Sequence, residues 1–148
     1  MRALVFCLAP LVLLACGSSS TTAGNFVGTW VADVVEVEVC PDTGTHTTQL
    51  MGTFPIVAGS AAGTIVTQST NGCDLTWTVS GDNATLGSGQ TCSVPGSVGG
   101  TWSPTFTSGG LSLNNATTIG VHDMGTAVYV NGATQNCTFT QSGTFTAP

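Results

Sequence analysis

The chain has 148 residues, with seven acids and one basic residue, Arg2, for a formal charge of −6. Nucleic-acid binding needs a basic footprint, and this chain has none. Phosphate capture by Arg forks or a P-loop Lys is excluded for the same reason.

The chain opens with Arg2 and a short apolar run from Leu4 to Leu14. That run is too short for a permanent membrane span, which needs about 20 apolar residues. A charged start, an apolar stretch and a small residue at the cut describe a secretory leader. The segment Leu13-Leu14-Ala15-Cys16 resembles the bacterial lipobox. The resemblance implies that residues 1–15 are a signal peptide and that Cys16 becomes the lipidated first residue. It also implies a lipid-anchored protein of the cell envelope, with the membrane as its partner. By likeness to outer-membrane lipoproteins, Gly17 after the cysteine points to the outer membrane or cell surface. The competing reading is an ordinary secretory leader with an incidental cysteine. Residues 16–24 include Gly17-Ser18-Ser19-Ser20-Thr21-Thr22, the composition of a flexible linker. Removing the leader removes Arg2, so no Lys or Arg remains in the mature chain.

Residues 25–148 then read as one all-β domain. Thr, Val, Gly and Ser dominate, helix formers are scarce, and no second linker appears. Asn25-Phe26-Val27-Gly28-Thr29-Trp30 resembles the Gly-x-Trp opening of lipocalins and the Gly-Thr-Trp opening of avidin-like barrels. That resemblance implies an up-and-down barrel around a small apolar ligand. The lipocalin Arg that packs over the Trp has no counterpart here. Trp30 as plain core at a strand start is the competing reading.

Strands are expected at roughly 26–39, 47–57, 63–69, 74–79, 83–87, 101–107, 110–121, 125–130 and 136–146. In the first, Trp30, Ala32 and Val34 fall on even positions, but Val35, Val37 and Val39 on odd ones. A bulge or turn near Asp33-Val34 would put both sets inside. Glu36 and Glu38 would then form a wet acidic face. Two unneutralised carboxylates suit a hard cation such as Ca²⁺, but no EF-hand loop exists. A solvated face is the reading taken, with no metal site. Asn71-Gly72 and Asn131-Gly132 suit type I′ turns. Ser108-Gly109-Gly110 reads as a break between strands.

Four cysteines remain beyond Cys7 and Cys16, an even number in an exported domain. Cys73 and Cys92 flank a plausible hairpin, so the favoured pairs are Cys73–Cys92 and Cys40–Cys137. Zinc is disfavoured because no Cys-x-x-Cys exists and neither His46 nor His122 has a partner at ligand spacing. His122 and Asp123, adjacent on a strand, point to opposite faces and make no dyad. No Gly-x-Ser-x-Gly occurs, so no catalytic residue, no enzyme activity and no cofactor are expected.

The fold expected is a single antiparallel meander of about 8–10 strands, a closed barrel in preference to a sandwich. Closure hides strand edges that this chain lacks the charges to protect. The function expected first is a non-catalytic structural or interaction module at the envelope. The alternative is a barrel that binds a small apolar ligand in a cavity lined by Trp30, Trp77, Phe54, Phe106 and Tyr129.

Overall fold

The computed structural model describes residues 22–96 and 99–148. The leader, Cys16 and the chain up to residue 21 lie outside the described residues. A 3-10 turn, Thr22–Asn25, precedes ten strands. Five strands are long: β1 (Gly28–Cys40), β2 (Gly44–Ala58), β8 (Thr101–Asn115), β9 (Thr118–Asn131) and β10 (Ala133–Thr146). Three are short: β3 (Thr64–Thr67), β4 (Leu75–Ser80) and β5 (Asn83–Leu86). Two more, β6 (Gln90–Thr91) and β7 (Val94–Pro95), are two-residue strands paired with β8.

All pairings are antiparallel, and the order runs β5-β4-β3-β2-β1-β10-β9-β8. A further pairing of β5 with β8 closes the ring through eight strands. The fold is thus the closed meander expected from alternation. Inward and outward positions alternate, as on β9, where Ile119, Val121, Asp123, Gly125 and Ala127 face in and His122, Met124, Thr126 and Val128 face out.

The phase change in β1 is resolved differently from the expectation. β1 pairs without interruption with β2 and β10, so it has no bulge and no turn. A bulge there would have to break two ladders at once. The even positions therefore face inward throughout, and Glu36 and Glu38 line the interior. The acidic face expected to be wet is an inner wall, and Val35, Val37 and Val39 lie outside, where Val39 is exposed.

The bulge lies in β8 instead. Its register against β9 shifts between Phe106 and Ser108. The extra residue, Thr107, reverses the facing. Pro104 and Phe106 point inward before it, and Leu111 and Leu113 after it. Ser108-Gly109-Gly110, expected as a break, is the continuation of one strand, and the true turn is at residues 116–117. Asn131-Gly132 does join β9 to β10, but only Gly132 takes positive φ (77°). Gly72 is likewise positive (φ 79°) while Asn71 is not. Neither turn is type I′, which requires positive φ at both residues.

Both expected disulfides are present. Cys40–Cys137 joins the end of β1 to the start of β10 across 97 residues, and Cys73–Cys92 links two loops across 19.

One end of the ring is filled. Phe26, Ile65 and Ile119 are fully buried there. Trp30 is also core, and its indole N–H donates to the Phe26 carbonyl at 2.8 Å. At the other end the five long strands outreach β3–β5.

Candidate functional site

Where the long strands run on alone, the inward side chains have no opposite wall to pack against. The missing wall is supplied by residues 68–74 and 87–96. Ser69 knits the first of these, its Oγ accepting from the backbone N–H groups of Asn71 (3.2 Å) and Cys73 (3.0 Å). Gln90 knits the second. Its side-chain amide accepts from the Thr76 N–H and donates to the Thr76 carbonyl, both at 2.7 Å, occupying the β4 edge beyond the end of β5. Cys73–Cys92 ties the two together. The wall is therefore held by its own hydrogen bonds and a disulfide.

Two adjoining cavities result. The inner chamber is about 260 Å³ and the outer vestibule about 440 Å³. They share Leu50, Asn71, Val94, Trp102 and Gln141 as common walls. The chamber is lined by Phe54, Trp77, Phe106 and Phe145, with Phe54 edge-on to Phe145 at 4.6 Å. Among the five residues expected around a cavity, Trp77, Phe54 and Phe106 line the chamber and Tyr129 the vestibule. Trp30 does not line it. It seals the filled end, because it lies at the start of β1 and the cavity lies toward the other end.

The polar groups sit on one rung of the sheet. Gly109 on β8, Asp123 on β9, Gln141 on β10, Glu36 on β1 and Thr48 on β2 are consecutive cross-strand partners. Gln141 Nε2 donates to Glu36 Oε2 at 2.7 Å. Burial pushes the Glu36 carboxyl above the usual carboxylate range; the Gln141 hydrogen bond opposes this, and Glu38 adds to it. Trp102 Nε1 donates to Glu38 Oε1 at 3.0 Å, and the Trp102 ring stands edge-on to Phe139 at 5.3 Å.

Asp123 differs from both glutamates. It is only 3% exposed and its Oδ1 has no hydrogen-bond partner. Burial raises its pKa to about 7, with the Gly110 backbone N–H acting in the opposite direction. Gly109 leaves room for the carboxyl, since a Cβ there would press on Oδ1. The bulge at Thr107 sets Gly109 opposite it. Sequence reasoning did not single out Asp123, Gln141, Gly109 or Trp102 as site residues. The alternation Val121, Asp123, Gly125, Ala127 does place an acid on a buried face.

His122 points outward and is exposed, so it makes no dyad with Asp123, as its adjacency on a strand requires. His46 lies at the vestibule, across from Glu38 in the register. Glu38, Cys40 and Cys137 converge within 4.8 Å of one another. Both sulfurs are in the disulfide, so the cluster offers no thiolate to a metal.

Comparison with family models, curated proteins and solved structures finds no match. The functional reading rests on the geometry of the site.

Proposed function

We propose that this protein is a non-catalytic small-molecule-binding domain, held at the cell envelope by a lipid on Cys16. The observation behind the binding reading is the unequal filling of the ring. One end is packed with Phe26, Trp30, Ile65 and Ile119, while the other holds an open, aromatic-lined chamber of about 260 Å³. A purely structural or interaction module, the role first expected from composition, has no use for such a chamber. Burying apolar side chains there would stabilise the domain by about 25 cal/mol per Å². Leaving it open is a cost that a ligand offsets.

The test is titration with an uncharged fluorescent probe, N-phenyl-1-naphthylamine. The wild-type domain should bind it with micromolar affinity. Leu50→Trp, which fills the passage between vestibule and chamber, should reduce that affinity at least tenfold while the far-UV circular dichroism stays unchanged. Equal binding by both proteins would remove the chamber from consideration. The tether is tested separately: Cys16→Ser should move the protein from the membrane to the soluble fraction of the envelope, and unchanged fractionation would refute the anchor.

A further inference from the structure

We infer that the chamber selects an organic cation, an aromatic or alkyl ammonium whose N–H groups dock on Asp123. The inference rests on the binding reading above and assigns the ligand its charge.

Buried polar groups in folded proteins are almost always paired, because an unmade hydrogen bond costs about 1–3 kcal/mol. Asp123 is among the residues that line the chamber, and its Oδ1, packed over Gly109, is buried and unpaired. Glu36 and Glu38, nearer the mouth, already have donors in Gln141 and Trp102. Glu36 on the same rung and Glu38 one inward position beyond it each accept one side-chain hydrogen bond, whereas Asp123 Oδ1 accepts none.

The charge balance points the same way. The interior carries three inward acids, and no Lys or Arg occurs after Arg2. No Lys or Arg among the described residues can neutralise Asp123, so a positive charge at its carboxyl has to arrive with the ligand. An ionised carboxylate buried without a partner is strongly disfavoured, whereas one that meets an ammonium is not. The remainder of the chamber suits the rest of such a ligand. Phe54, Trp77, Trp102 and Phe106 provide apolar area and ring faces that attract cations. Acidic vestibule groups raise the local concentration of cations on the way in.

Protonation provides an independent readout. Asp123 is the one titrating group among the chamber-lining residues. Its neighbours on β8 and β10 are Gly109 and Gln141, and those across the chamber include Leu75 and Trp77 on β4, Val34 on β1 and Leu50 on β2. None of these titrates. Glu36, Glu38, His46 and Tyr129 lie at the vestibule. An ammonium requires the ionised Asp123, so its binding should expel a proton wherever that carboxyl starts protonated.

The experiment is calorimetric titration of the folded domain with three isosteres: 2-phenylethylamine, 2-phenylethanol and 3-phenylpropionate. The amine should bind at least tenfold more tightly than the alcohol at pH 8, and the acid should bind least. Between pH 5 and pH 8 the amine affinity should rise at least tenfold, while that of the alcohol stays flat. Heats measured in two buffers at pH 6 should show proton release with the amine alone. Asp123→Asn should abolish the advantage of the amine and its pH dependence. The wild-type comparisons need no variant, so the test stands even if Asp123→Asn folds poorly. An alcohol or acid that binds as well as the amine overturns the inference and leaves the chamber reading intact. An amine that does not bind also overturns it, and the uncharged-probe titration then shows whether the chamber reading falls too.

Discussion

The two ends of this ring are made from the same strands, yet one is solid and the other hollow. At the solid end all eight strands are present, and inward side chains meet from every side. Phe26, Ile65 and Ile119 are there, each 0% exposed. At the hollow end β3, β4 and β5 have stopped after four to six residues, while β1, β2, β8, β9 and β10 continue for 13 to 15. Half a wall cannot be packed by side chains alone, so cross-linked loops close it and a space remains. The difference shows that strand length, more than side-chain size, decides where a core ends and a cavity begins. β1 runs through both regimes, from Trp30 in the solid end to Glu36 and Glu38 in the hollow one.

The disulfides carry the largest expected effects. Replacing Cys40 and Cys137 by Ser releases a loop of 97 residues and should cost about 4–5 kcal/mol in a denaturant titration. The same change at Cys73 and Cys92 frees 19 residues and should cost about 3 kcal/mol. It should still weaken probe binding more, because it loosens the chamber wall.

Acidity separates the two ends next. The folded pKa of Asp123 lies near 7, above its ordinary value of 3.8. The folded state therefore holds a proton that the unfolded state has lost across that interval. The contribution is fully present below pH 4 and is lost as pH rises through 7, by about 4 kcal/mol. Glu36 is shifted in the same direction. Asp123→Asn should flatten most of the fall in stability between pH 4 and pH 7. An unchanged slope would mean that the carboxyl is solvated.

Side-chain replacements at the two ends extend the contrast. Phe26→Ala at the solid end should cost about 3–5 kcal/mol, and Phe54→Ala on the chamber wall only about 1–2, because Phe54 is half-buried beside an existing space. Trp102→Phe removes the donor to Glu38 and should cost about 1 kcal/mol. Both differences are measurable as shifts in denaturation midpoint.

Much of this architecture was legible in the sequence. Alternation along residues such as Leu75, Trp77 and Val79 gave the all-β class. The absence of helical crossovers gave the meander, and cysteine spacing gave both disulfides. Phase was less legible. β1 and β8 each contain two apolar sets of opposite facing, and the chain alone does not say which strand bulges. Only the neighbouring ladders decide. β8 bulges beside Gly109-Gly110, where the backbone can yield. β1 is held straight by β2 and β10 and turns its valines outward. The inward glutamates follow from that choice, and so does the site. Asp123 was hidden for another reason. An acid on an apolar strand face can be read locally as an exception, and its meaning emerges once Gly109 is seen opposite it.

The central claim is that small molecules enter the hollow end and leave the solid end untouched. Chemical-shift mapping of the ¹⁵N-labelled domain during titration with 2-phenylethylamine tests it most directly. The account predicts shifts at Gly109, Asp123, Gln141 and the Trp102 indole, with none at Gly28, Ile65 or Ile119. Shifts confined to the outer residues Val35, Val37, Val39 and Val128, or spread evenly over both ends, would contradict it.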